Sequence, residues 1–243
     1  LVFNGGEQNA IKILEVYHAD GTTTNVYTGE PFAGGCDLKR DLDFFHDYRD
    51  EKRLYLCSTE GNPSERFESI ELLTRGNIIN ATDNVHIDNL CLMYGGSHGI
   101  GSGTTKSLRV TNCEIGWIGG SMLLPAPPEG GRDARYGNGI EIYGGCDEFV
   151  VDNCYIYQCY DAGITMQYSG NLTEENILFE NNLLEYSFYN IEYFCPGGVF
   201  KNVLIQNNIV RHGGYGWGFY SRPDKNRGTN VSGGYADINE NFV

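Results

Sequence analysis

Three acids, Glu141, Asp161 and Glu192, carry the most specific chemistry that this sequence offers. Hydrolysis of a glycosidic bond needs two carboxyl groups, one protonated and one ionised. Inverting enzymes hold them roughly 6.5–9.5 Å apart, retaining ones about 5–5.5 Å apart. Burial and neighbouring charge separate their proton affinities. Outward glutamates on a strand are commonly just solvated surface, so the case rests on the neighbours these three keep. Around them the chain places His98, Arg135, Asn138, Tyr143, Gln167, Trp217, Tyr220 and Arg222 as candidate substrate-binding groups. Amides, a histidine, arginines and aromatic rings of this kind bind and stack on sugars. Arg132 and Arg135 are most simply loop charges; the sharper reading gives them a carboxylate or sulfate on an acidic sugar.

The elements that must position these residues follow from a recurring phrase: apolar, any residue, Asn, two residues, apolar. Its anchors are Asn89, Asn112, Asn153, Asn181 and Asn207, spaced 23, 41, 28 and 26 residues apart. About ten residues after each anchor comes a small residue or Asn, then an apolar one: Gly99-Ile100, Gly139-Ile140, Gly163-Ile164, Asn190-Ile191 and Gly218-Phe219. Apolar residues alternate within each copy, as in Ile140-Glu141-Ile142, and period two means strand. Strands this short are stable only when stacked coil on coil around one apolar column. The architecture is all-β, a parallel β-helix with coils of about 22–28 residues and inserted loops. The recurring Asn suits the bends, and stacked amides can bond from coil to coil.

That phase places Gly101, Glu141, Thr165, Glu192 and Tyr220 in one outward column. Gly103, Tyr143, Gln167, Phe194 and Arg222 form the next. His98, Asn138, Ala162, Tyr189 and Trp217 stand just before the strand, with Asp161 one further back. Glu141 and Glu192 are two coils apart, or about 9.6 Å at 4.8 Å per step. Long loops at Gly119 to Asn138 and Arg222 to Gly234 are expected to wall a groove over this strand's sheet.

Residues 1–64 read as an irregular N-terminal part leading into the β-helix, and 65–243 as its coils. Leu54 to Cys57, Ile70 to Leu73 and Ile78-Ile79 read as strands. Asp37 to Lys52 reads as a short helix or strand-rich loop, and Thr59 to Ser64 as a turn. Ile238 to Val243 resembles the start of a sixth coil with Glu240 in the anchor place, so the chain is expected to be a piece of a longer protein. A net charge of −15 argues against nucleic acid and anionic membrane as partners. No apolar stretch has the length of a membrane span. The expected partner is a polysaccharide or oligosaccharide, met by a monomer at an extracellular, periplasmic or cell-surface location. Eight cysteines show no zinc spacing. Cys113 and Cys154 follow anchors in adjacent coils; a disulfide is conceivable there, and stacked free thiols are favoured.

The repeats Val85-x-Ile-x-Asn and Gly139-Ile-x-Ile resemble right-handed parallel β-helix proteins of the pectate-lyase-like superfamily over about residues 65–243. The phrases around His98-Gly99-Ile100, Arg135 to Glu141 and Tyr160 to Ile164 look like those of bacterial, often gut-derived, glycan-degrading sets. The resemblance implies a right-handed, single-stranded β-helix. It transfers no catalytic residue: the Asn-Thr-Asp, Asp-Asp, Gly-His-Gly and Arg-Ile-Lys motifs of polygalacturonases are absent, and Ser97 precedes His98-Gly99. Three functions stay open. One is a glycoside hydrolase using Glu141, Asp161 and Glu192, with no cofactor. Another is a polysaccharide lyase with Arg135 or Arg222 as base and Ca2+ at the acids. The last is a glycan-binding or adhesin module using Tyr143, Phe194, Trp217 and Tyr220.

Overall fold

Three parallel sheets wrap one apolar column in the computed structural model, which describes residues 2–3, 14–17, 23–26, 38, 40–47, 53–72, 74–124, 134–218, 228–234 and 237–238. The first sheet stacks Ile79–Ala81, Ile100–Ser102, Ile140–Ile142, Ala162–Gln167, Tyr189–Phe194 and Val231–Gly234. The second stacks Val85–Asp88, Thr105–Thr111, Cys146–Asp152, Thr173–Glu180, Val199–Gln206 and Asp237–Ile238. The third stacks Cys91–Met93, Glu114–Ile118, Tyr155–Cys159, Leu183–Glu185 and Ile209–Arg211. Each coil therefore contributes one strand to each sheet, and every neighbour is parallel and in register.

The alternation read from the sequence is what fills the column. Ile100, Ile140, Ile164 and Ile191 stack fully buried from the first sheet. Leu108, Phe149, Ile177 and Val203 do so from the second, and Leu92, Ile115, Ile156 and Leu184 from the third. All five anchor asparagines adopt left-handed backbone, with φ from 52 to 57°, a conformation that Asn tolerates and most side chains do not. The amide ladder is only partly amide to amide. Asn153 Nδ2 donates to Asn112 Oδ1 at 2.7 Å, whereas Asn112 and Asn181 donate to the carboxylates of Asp88 and Asp152. Cys113 and Cys154 are free thiols whose S–H groups donate to backbone carbonyls.

The small residue of the second phrase has a steric cause. A Cβ at Gly99 would sit 2.5 Å from Gly139 O, one at Gly139 would sit 2.5 Å from Gly163 O, and one at Gly163 would sit 2.6 Å from Asn190 O. Gly139→Ala is therefore expected to cost about 2–3 kcal/mol by forcing adjacent coils apart. Gly103→Ala, which meets nothing within 4 Å, is the control, and chemical denaturation of both variants checks the contrast.

One expectation is corrected here. The strand that pairs with Tyr189–Phe194 is Val231–Gly234, with Ile191 opposite Val231 and Glu192 opposite Ser232. Gly218-Phe219 is not the fifth copy of the second phrase; Asn230-Val231 is, and Asn190 Nδ2 bonds to Asn230 Oδ1 at 3.0 Å. At the far end, Asp237 and Ile238 pair with Val199 and Phe200. Glu240, expected in the anchor place of a further coil, lies outside the described residues.

The chain clusters into two units, Leu1–Arg75 with Gly120–Tyr136, and Gly76–Gly119 with Gly137–Val243. The coils belong to the second. In the first, Thr23–Val26, Leu14–Tyr17, Phe44–Asp47 and Arg53–Leu56 form an antiparallel sheet in that order. Val2–Phe3 pairs with Glu71–Leu72. The turn expected at Thr59 to Ser64 is present at Thr59 and Glu60, and a one-turn helix follows it from Pro63 to Arg66, capped by Asn62. Met122–Leu124 pairs with Ala134–Arg135, and residues 125–133 lie outside the described residues.

Candidate functional site

Glu141 stands at the centre of the outward column of the first sheet. Register places Gly101 on one side of it and Thr165, Glu192 and Ser232 in succession on the other. The two glutamates are two strand steps apart, as the phase of the sequence required. Gly101 leaves room that Asn77 takes: its amide lies where a Cβ at Gly101 would be, and its Oδ1 accepts the His98 N–H at 3.1 Å.

His98, Asn138 and Glu141 close into one buried cluster. The Asn138 backbone N–H donates to His98 Nδ1 at 3.2 Å. With Nδ1 an acceptor, the neutral ring carries its proton on Nε2, which stands 3.2 Å from Glu141 Oε1. Asn138 Nδ2 donates to Glu141 Oε2 at 2.5 Å, and Asn138 Oδ1 accepts the Ala162 N–H at 2.9 Å. The carboxyl group is thus held at both oxygens, and Asn138 ties it to the next coil. Burial raises Glu141 to about 7, against the Asn138 hydrogen bond and with help from the charge of Asp161. Burial lowers His98 to about 4, with Asp161 opposing. At neutral pH His98 is therefore uncharged, and Glu141 keeps its proton to higher pH than a free carboxyl group. Asp161 acts on both through its charge; its main chain bonds to Gly137, Phe188 and Tyr189.

A second cluster forms around Glu192. Its Oε2 accepts from Thr165 Oγ1 at 3.1 Å and from Gln167 Nε2 at 2.6 Å. Thr165 lies in the column between the two glutamates and is fully buried. The sequence reading had placed it in the column without giving it a role. Tyr143 is half exposed and meets Tyr168 edge-on at 5.6 Å.

Among the remaining candidates, Trp217 does not join this column. Trp217 was expected beside Tyr189 and instead sits at a corner. Its N–H donates to Gln158 Oε1, its Nε1 donates to Gln158 O, and its ring lies 4.9 Å from that of Tyr160. The places expected for Tyr220 and Arg222 are taken by Ser232 and Gly234, and both residues lie outside the described residues. Arg135 belongs to the other unit, where Nη1 donates to Gly120 O at 2.9 Å. Asn230 rather than Gly218 would have been found by matching the Asn190-Ile191 phrase instead of the glycine.

Among the described residues no group of three His, Cys, Asp or Glu is arranged to hold a metal ion. No helix among them is long and apolar enough to cross a membrane. A family model described as "Right handed beta helix region" matches residues 75–240. No curated protein and no solved structure matches the chain.

Proposed function

Because the chain belongs to the right-handed β-helix family over residues 75–240, a fold shared by hydrolases, lyases and binding modules, we propose that it is a glycoside hydrolase acting on a polysaccharide laid along the first sheet. One observation carries this reading. Glu141 is buried against neutral His98, raised to about 7, and stands two register steps from a second carboxyl group, Glu192.

Glu141 is the acid. Its two oxygens already receive donors, so its own proton has no acceptor in this cluster and is available to a leaving glycosidic oxygen. The charge of Asp161 keeps that proton on Glu141 at higher pH. Glu192 is the base that activates water on the other side of the sugar, with Thr165 and Gln167 orienting its carboxylate. A separation of about 9.6 Å between the two backbones favours inversion. Gln167 and Tyr143 flank the column and serve the substrate. The protein is proposed to act as a monomer, outside the cytoplasm.

Incubation of the chain with a panel of neutral and acidic polysaccharides tests this. New reducing ends without ultraviolet-absorbing products, unaffected by a chelator, are expected. Unsaturated products that a chelator suppresses would replace hydrolysis by elimination. Binding without turnover anywhere in the panel would leave only a binding module.

A further inference from the structure

Each coil contains left-handed residues at its corners, and the three corners differ in what they put there. One corner uses the five anchor asparagines. A second, inside the second sheet, uses Asn84, Ser107, Glu148, Asn176 and Asn202. The third follows the third sheet and uses Tyr94, Trp117, Gln158, Tyr186 and His212, with φ from 50 to 61°. Register aligns these five, because the residues before them, Met93, Gly116, Tyr157, Glu185 and Arg211, pair in succession.

Bulky aromatic residues avoid this conformation, and the backbone strain has to be compensated elsewhere. Asn would serve every one of these corners, as the first shows. Three such rings, Tyr94, Trp117 and Tyr186, in one strained column therefore point to a use for the rings; His212, of a type that tolerates this conformation, adds a fourth. They are also turned outward. Tyr94 is 48% and Trp117 40% exposed, and His212 is exposed as well. Tyr186 and His212 are already stacked, with centroids 4.7 Å apart and planes at 15°. Tyr215, 51% exposed, stands edge-on to His212. At the Gln158 rung the amide and carbonyl hold Trp217 instead, so an aromatic ring covers that step too.

The occupant follows from flatness and charge. The rungs recur at about one strand step, 4.8 Å, on an open corner. Tyr186 and His212 cover one face of each other, so the open rings are those of Tyr94 and Trp117. Open rings suit a partner with flat apolar faces and hydroxyl groups left in water, which describes a pyranose chain. Nucleobases stack equally well, but a chain of net charge −15 repels a polyphosphate. The same charge disfavours polyuronates.

We propose that this column is a second, non-catalytic glycan platform that binds an uncharged polysaccharide running along the stack of coils. It stands independently of the acid pair on the first sheet, since no residue is shared. Affinity electrophoresis of the full chain through gels containing hydroxyethylcellulose, galactomannan or polygalacturonate tests it. Retardation by at least one neutral polymer is expected. Trp117→Asn and Tyr94→Asn, each suited to the backbone conformation, are expected to weaken it about five- to tenfold apiece while circular dichroism stays unchanged. Trp217→Phe leaves Trp117 as the single tryptophan of the chain's two, and its emission is expected to shift to the blue with the neutral polymer. Retardation equal to wild type in both folded Asn variants, or by polygalacturonate alone, or by none of the three, would overturn the platform. These readouts measure binding, so they are separate from the turnover assays that judge the hydrolase.

Discussion

Glu141→Gln is expected to lower turnover about a thousandfold while the β-helix stays folded. General acid catalysis by one positioned group contributes roughly 10²–10⁴ in rate, and Gln has the shape of Glu without a proton to give. The strand survives because Ile140 and Ile142, fully buried, anchor it from both sides of position 141. The pH profile supplies the sharper reading. Glu141 must be protonated to act, so activity should fall on the alkaline side with a limb near pH 7. Asp161→Asn should move that limb to lower pH, because the negative charge that helps hold the proton is gone. His98 is not expected to titrate in this range, being held down to about 4. Turnover within tenfold of wild type in Glu141→Gln, or a limb that ignores Asp161→Asn, would remove Glu141 from the acid role.

Glu174→Gln is expected to stabilise the protein in alkali and destabilise it in acid. Glu174 points into the core, 1% exposed, in register between Cys146 and Phe200. The Cys195 thiol donates to its Oε1, and its Oε2 is the buried side-chain atom without a hydrogen-bond partner among the described residues. Burial raises the carboxyl to about 7, with the Cys146 thiol and backbone N–H opposing. The folded state therefore holds a proton that the unfolded chain releases near 4.5. Its contribution to stability is complete below about pH 4.5 and is lost as pH rises through about 7. The shift is worth about 3 kcal/mol. A Gln side chain keeps no charge but buries an unpartnered N–H, at about 1 kcal/mol. At pH 8.5 the variant should be about 2 kcal/mol more stable, raising Tm by about 4–8 °C, and below pH 4.5 it should be slightly less stable than wild type. Glu141 contributes with the same sign over the same window. His98, lowered to about 4, contributes the opposite sign, its stability being lost as pH falls from 6.5 through 4. The wild-type-minus-variant difference isolates Glu174; parallel melting curves at every pH would refute its buried charge.

The two glutamates of the acid column were legible before any coordinates, because alternation within Ile140-Glu141-Ile142 and Asn190-Ile191-Glu192 is local and the stacking is repetitive. Their partners were legible in part. His98 and Asn138 precede the strand at a fixed offset, so the phase placed them together. Trp217 was misassigned for an instructive reason. Gly218-Phe219 and Asn230-Val231 both satisfy the local pattern, and only pairing to Ile191 chooses between them.

Glu174 shows where period-two reasoning breaks. Counting back from buried Ile177, strict alternation sends Glu174 outward and Glu175 inward. The left-handed turn at Asn176 resets the phase, and the core receives Glu174 instead. Glu148 and Ser107 do the same one and two coils earlier, which is why Cys146 and Thr105 are buried while Asp147 and Lys106 are exposed.

The sequence by itself determined the repeat, the parallel stack of coils and the column that carries Glu141 and Glu192, because each rests on spacing and side-chain volume within one coil. The tertiary structure alone decided which late strand closes the first sheet, that Glu174 is buried, that His98 presents Nε2 to Glu141, and that one corner is lined with aromatic rings. Those depend on register between coils and on left-handed backbone at residues other than glycine and asparagine, and neither leaves a local mark in the amino-acid pattern.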